Sequence, residues 1–300
     1  MQDRYAGDIG DFGKFSLLKE LSRQGFSIGI NWYRTETLDS EKKPDGRVKQ
    51  NDGGYTEIPE KLKACDISLA ETLSTIAESN DCSIDKLEEA QLLPNAVYYN
   101  ERVSVDGRED WHRQALAFFA NNHSDLVFLD PDNGMLVPSV KKHQPRSVKY
   151  AFYEEVQNYI EQGQSVLVYS QRSRKQEIQY FHEIESRLRE TIRDSEIYEI
   201  TFPRYSVRDY FAIPALPKHS EKIEMAFSNM LSGKWTDSKM CQRPLTAGLS
   251  YTEYRERFSS KKNFQRHYQA LPEEVVREMI DNTNASPAIK ACMYSEWKTN

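Results

Sequence analysis

Leu126, Val127, Phe128 and Leu129 run straight into Asp130, Pro131, Asp132, Asn133 and Gly134. Such a run reads as a buried strand whose C-terminal end opens into a tight polar turn. Asp130 and Asp132 can accept hydrogen bonds or ligate a hard cation, and Asn133 can orient a polar group. Two carboxylates two residues apart point to opposite faces of a continuing strand, so they converge only if Pro131 redirects the chain. A second set lies near the start: Gly7, Asp8, Asp11 and Lys14, just before a helical pattern. Glycines admit close backbone approach, and a lysine beside a helix N-terminus can hold an anion or a cofactor carboxylate. The spacing is neither the Walker pattern nor the dinucleotide fingerprint. A third set is cationic and aromatic. Arg172, Arg174 and Lys175 follow one strand, and Arg204, Arg208 and Tyr210 surround a later turn. Arg172, Arg174, Arg204, Arg208 and Tyr210 together predict a basic, aromatic wall for phosphates and bases. Plainer readings stand beside each set: a turn, an N-cap, and solvated loop arginines. Residues 259–268 are the most basic local stretch and a candidate nucleic-acid contact. The six histidines show no metal-ligand spacing, and Gly-x-Ser-x-Gly is absent.

The elements that must carry these residues follow from periodicity. Leu17, Leu18 and Leu21 share a helical face from Ser16, and Gly25 ends the pattern. Residues 27–33 read as the first core strand and 35–55 as a long polar loop of the kind that forms lids. Residues 57–93 are helical in short pieces, with Leu69, Leu73 and Ile76 recurring, and predict a small inserted helical subdomain. A short strand at 95–99 and an amphipathic helix at 111–119 lead to the focal strand. A helix at 153–160, a strand at 165–169 and a helix at 176–189 follow, the last with Ile178, Phe181, Ile184 and Leu188 inward. Strands at 196–202 and 210–215, joined by residues 203–208, predict an antiparallel edge hairpin, and residues 218–230 a helix. Beyond residue 233 the chain turns polar, aromatic and basic, with helices at 251–258 and 272–280. This alternation predicts a doubly wound, mainly parallel α/β sheet over residues 1–232, with the helical insertion at about 57–93 and a small C-terminal helical appendage at 233–300. The active site belongs outside the carboxyl ends of its strands, where Asp130 and Asp132 fall.

Three hundred residues suffice for a core without staples. The formal charge of −6 argues against a general basic coat for nucleic acid but leaves room for a local basic groove. The 4 cysteines form no C-x-x-C pair, and scattered cysteines fit a reducing cytosol. The first residues carry charge rather than an apolar signal core, and no apolar run approaches membrane-spanning length. A cytoplasmic protein without membrane partners is expected.

The run Ala6-Gly7-Asp8, Asp11 and Lys14 resembles the opening of the bacterial large-subunit ribosomal RNA adenine-N6 methyltransferases. There an Ala-Gly-Asn segment is followed, at the same spacing, by an Asp and a Lys-His pair. The order of elements is similar through about residue 215. The resemblance implies a Rossmann-like methyltransferase fold and S-adenosylmethionine-dependent methyl transfer to an exocyclic amine of RNA or DNA. It assigns the cofactor to Gly7, Asp8, Lys14 and Asn31, and catalysis to Asp130 as acceptor from the target amine, with Asp132 and Asn133. Asp132 and Asn133 stand where the family has a second proline and a stacking aromatic. Asn31-Trp32-Tyr33-Arg34-Thr35 stands where it has a glycine-rich loop. Two other readings use the same scaffold. Asp130 and Asp132, with Asp8 or Asp11, could hold Mg²⁺ for a nuclease or phosphotransferase. A catalytically silent nucleic-acid-binding protein is the third.

Overall fold

The computed structural model describes residues 1–38, 56–79, 82–173, 177–192, 196–242, 273–281 and 287–298. The predicted helix at 251–258, the basic stretch at 259–268, Arg174 and Lys175, and most of the loop at 35–55 lie outside the described residues.

The first helix, α1 (Ile9–Arg23), opens on the glycine-rich run itself rather than after it. Asp8 is its N-cap, accepting from the Asp11 N–H at 3.0 Å. Gly25, at φ 82°, ends it, with the Gly25 and Phe26 N–H groups closing on the Ser22 and Leu21 carbonyls. β1 (Ile28–Asn31) follows. The insertion is helical as expected: α2 (Glu60–Lys63), α3 (Ile67–Glu78), capped by Asp66, and α4 (Ile84–Glu89), capped by Ser83. Leu69, Leu73 and Ile76 bury the inner stripe of α3, and α3 packs on α1. Next come β2 (Val97–Tyr99), α5 (Arg108–Asn121) and β3 (Leu126–Leu129). All four β3 residues are buried, as a parallel strand covered on both faces requires.

Beyond the focal turn, β4 (Gly134–Met135) pairs in parallel with β5 (Tyr150–Ala151). Then come α6 (Tyr153–Glu161), β6 (Ser165–Gln171) and α7 (Glu177–Thr191). β7 (Tyr198–Arg204) and β8 (Ser206–Ile213) form the expected antiparallel hairpin. The segment 203–208, expected as a linker, is itself mostly strand, because the turn closes on Tyr205 alone. α8 (Pro217–Met230), α9 (Glu273–Asp281) and α10 (Pro287–Lys298) complete the described helices.

The six-stranded sheet has the order β2-β1-β3-β6-β8-β7. The first four strands are mutually parallel, and β8 runs antiparallel to both β6 and β7. This is a mixed α/β fold, mainly parallel, compatible with a Rossmann-like scaffold. Side chains force close packing at one point. A Cβ on Gly29 of β1 would lie 2.3 Å from the Phe119 ring, so only glycine lets α5 approach there.

Contacts divide the chain into two compact units, and the division differs from the expected boundary at 232. One holds Met1–Gln171 with Ser195–Arg243 and contains every described strand. The other holds Arg172–Asp194 with Pro244–Asn300. Within it Phe181, Ile184 and Leu188 of α7 and Val275, Val276, Met279 and Ile280 of α9 are buried. Among the described residues, no helix is long and apolar enough to cross a membrane.

Candidate functional site

β1 and β3 are neighbours in register, Asn31 opposite Leu129, so both chains leave the sheet at the same edge. Pro131 then turns the second chain, and Gly134 restarts it as β4. Gly134 sits at φ 105°, and a Cβ there would stand 2.6 Å from the Ser170 Cα in β6. Only glycine satisfies both the conformation and the approach. The turn is held further by the Asn133 N–H donating to the Lys149 carbonyl at 3.0 Å.

α1 brings the second set of residues to this edge. Lys14, one turn into the helix, donates to Asp130 Oδ2 at 2.6 Å and to Asp11 Oδ1 at 2.7 Å. All three are buried. Burial disfavours the Lys14 ammonium, but Asp11 and Asp130 outweigh it and hold it above its usual range. Asp132 meets different partners: the Gln2 amide at 2.6 Å, Lys149 at 3.1 Å and the Met1 α-ammonium at 3.4 Å. Burial works against its ionised form, yet the Met1 ammonium, Lys149 and Gln2 prevail and keep it below the usual range. From β8, Arg208 reaches Asp8 Oδ2 at 3.4 Å. Its guanidinium lies over the first turn of α1, where a Cβ on Gly10 would come within 2.5 Å of Nε. Burial first, then the Asp11 carboxylate, push Asp8 up to about 7 against the pull of Arg208.

These groups line one cleft with a cavity volume of about 350 Å³. Four carboxylates (Asp8, Asp11, Asp130, Asp132) face three side-chain cations (Lys14, Lys149, Arg208) and the Met1 amine, whose pKa burial lowers below its usual value, with Tyr5, Asn133, Tyr169, Gln171 and Ser206 around them. At its floor, backbone carbonyls converge on one ammonium. The Met1 amine donates to Trp32 O at 2.6 Å, Tyr33 O at 2.8 Å and Asp130 O at 2.9 Å. The Met1 thioether lies 3.5 Å from Lys14 Nζ. The bend that presents the first two carbonyls needs a left-handed residue, and Tyr33 takes that conformation at φ 47°. Its ring is locked by a hydrogen bond to Glu155 at 3.0 Å, and Glu155 is itself ion-paired to Arg108 at 2.6 Å.

No family model and no curated protein matches the chain.

The structure thus brings Asp8, Lys14, Asp130, Asp132, Asn133 and Arg208 together in one cleft. Others of the expected residues go elsewhere. Asn31 is fully buried; its amide donates to the Tyr159 hydroxyl and accepts from the Tyr33 N–H, which shapes the bend. Gly7 is required by packing: at φ 87°, its absent Cβ would collide with the Leu73 carbonyl of α3 at 2.7 Å. Tyr210 corrects an expectation. It is wholly buried between Phe128 and Tyr169, because strand alternation turns it into the core, so it is no stacking wall. Arg204 is spent on the Ser238 carbonyl at 3.0 Å and on the Asp237 carbonyl. Arg172 lies in the second unit, over the Phe181 ring.

The carboxylates proposed as Mg²⁺ ligands are paired with cations of the chain: Lys14 sits between Asp11 and Asp130, and Asp132 is closed by Lys149 and the Met1 amine. Among the described residues no group of three metal-capable side chains converges.

Sequence reading missed Met1, Gln2 and Lys149. Lys149 carries no local signal; the β4–β5 pairing alone brings it to the turn.

Proposed function

We propose that this cleft serves S-adenosylmethionine-dependent methyl transfer to an exocyclic amine of a nucleobase. The observation that carries the reading is the carbonyl cradle at the ends of β1 and β3. It binds the α-ammonium of a methionine, with the thioether beside Lys14. The ammonium of a methionine-derived cofactor would meet the same three carbonyls, so Trp32, Tyr33 and Asp130 would hold it there. The chemistry such a cofactor supplies is an electrophilic methyl group. The Met1 amine occupies the same three carbonyls, and cofactor binding requires it to leave.

The chain's own residues supply the rest. Lys14 fixes the Asp130 carboxylate at the cleft floor, where it accepts from the target amine. Asn133 offers an amide to orient that amine. Asp8, near neutrality and lining the cleft, takes up on a carboxylate oxygen the proton the amine sheds, which is the pKa range a general base needs. Titration calorimetry with S-adenosylmethionine is the direct test. Binding with a rise in melting temperature is expected, since a ligand of the native state stabilises it; no heat at millimolar cofactor sinks the reading.

A catalytically silent nucleic-acid-binding protein is the second reading. It is favoured by the Met1 amine and Lys14 already satisfying the cradle and Asp130. Oligonucleotide binding without cofactor binding would select it.

A further inference from the structure

Most charged side chains of the cleft are already engaged. Lys14 is closed on Asp11 and Asp130, and Lys149 on Asp132. Arg208 gives Nη1 to the Arg204 and Ser206 carbonyls at 3.0 and 3.2 Å, and Nη2 to Asp8 at 3.4 Å. Three neutral side chains on the wall beside Arg208 are not. The Tyr169 hydroxyl, the Gln171 amide and the Ser206 hydroxyl line the cleft and make no side-chain hydrogen bond among the described residues.

Their placement follows from the strands. Tyr169 and Gln171 are two apart on β6, so they point to one face. In the antiparallel β8, Arg208 lies opposite Gln171 and Tyr210 opposite Tyr169, so Arg208 and Ser206 continue that face. The Tyr169 ring is held edge-on against Tyr210, with centroids 6.0 Å apart. Burial, above all, keeps the proton on its hydroxyl, which also feels Arg208, Asp130, Asp8 and Lys14, all groups of the cleft. Tyr169 thus presents a neutral hydroxyl that both donates and accepts. Gln171, exposed at the rim, offers a donor and an acceptor side by side, and half-buried Ser206 offers both on one oxygen. Such a wall favours no anion, because the Arg208 charge is engaged and the Asp8 carboxylate stands beside it. It suits a neutral group with donors and acceptors along one edge. Hydrogen-bonding sites discriminate well, since a wrong ligand leaves their polar groups unpaired.

Resting on the reading above, we propose that Tyr169, Gln171 and Ser206 read the hydrogen-bonding edge of the target nucleobase and select which base enters the cleft.

The test titrates the full chain with free adenosine, cytidine and guanosine, with inorganic phosphate as the anion probe, and follows thermal melting with S-adenosylmethionine in parallel. The parent is expected to bind one nucleoside about tenfold tighter than the other two, the discrimination of one well-made pair of hydrogen bonds. Tyr169→Phe keeps the ring on Tyr210 and removes only the hydroxyl. Combined with Gln171→Ala, it should shrink the preference to within about twofold. Neither change should lower the melting temperature, because neither group has a hydrogen-bond partner in the fold to lose; a purely structural role would cost stability and leave the preference alone. A preference unchanged in the double variant overturns the proposal, as does phosphate binding in place of all three nucleosides. If S-adenosylmethionine raises the melting temperature while no nucleoside binds, the base-reading role falls and the cofactor site stands. If a nucleoside is selected through these residues without S-adenosylmethionine binding, the reading wall stands and methyl transfer falls. If neither binds, both fall together.

Discussion

Lys14 and Asp8 show two ways in which one buried cleft sets the charge of its residues. Lys14 sits between two carboxylates at 2.6 and 2.7 Å. Removing it leaves Asp11 and Asp130 buried without a cation. Lys14→Met should therefore lose about 3–5 kcal/mol in urea unfolding, the usual cost of breaking a buried pair from one side. Asp130→Asn keeps shape and hydrogen bonding at the same place and should cost less stability while abolishing transfer. Asp8 has its pKa raised to about 7. Its folded form binds the proton more tightly than the unfolded chain, so the contribution is fully present below the unfolded value of 3.8 and is lost as pH rises through 7. Melting temperature should fall across that window, and Asp8→Asn, which keeps the N-cap, should flatten the fall. Transfer should move the opposite way, rising through pH 7 as Asp8 becomes able to accept a proton. A transfer rate flat from pH 5 to 8 in the parent protein would remove Asp8 from the chemistry.

The focal turn was legible as an element because its residue types have few uses. An apolar run followed by Asp130-Pro131-Asp132-Asn133-Gly134 can be a strand that ends, and β3 ends at Leu129. The glycine requirement there is steric as well as conformational. Gly134→Ala must accept φ 105° and push Ser170 away, whereas Gly163→Ala must only accept φ 80°, with nothing within 4 Å. Gly163→Ala should cost about 1 kcal/mol, and Gly134→Ala clearly more, in parallel denaturant titrations. The hairpin was legible too, but its turn was not. Residues 203–208 carry proline, arginines and serine, which read as a loop, whereas cross-strand pairing extends to Arg204 and Ser206 and forces Tyr205 into a conformation its side chain disfavours. Tertiary pairing overrode local preference there, as it did at Tyr33, where the buried Arg108–Glu155 pair holds a left-handed tyrosine.

At the scale of the molecule, a net charge of −6 and a cleft whose cations face carboxylates leave little free positive potential. On the proposed function, affinity for a single strand should then owe little to phosphate neutralisation. The slope of log affinity against log salt should be shallow, near −1 rather than the steep value of a basic groove, since each neutralised phosphate of a single strand adds about −0.7. The sequence by itself determined the alternation of strands and helices, the helical insertion, the edge hairpin and the candidacy of Asp8, Lys14, Asp130 and Asp132. Periodicity and residue chemistry are local, and locality is enough for those. The tertiary structure alone decided that Lys14 neutralises Asp130, that Lys149 and Met1 close on Asp132, that Tyr210 is core, and that three carbonyls converge on one ammonium. Those facts depend on strand order and on the register of β1 against β3 and of β4 against β5, which join residues more than a hundred positions apart in the case of Lys14 and Asp130.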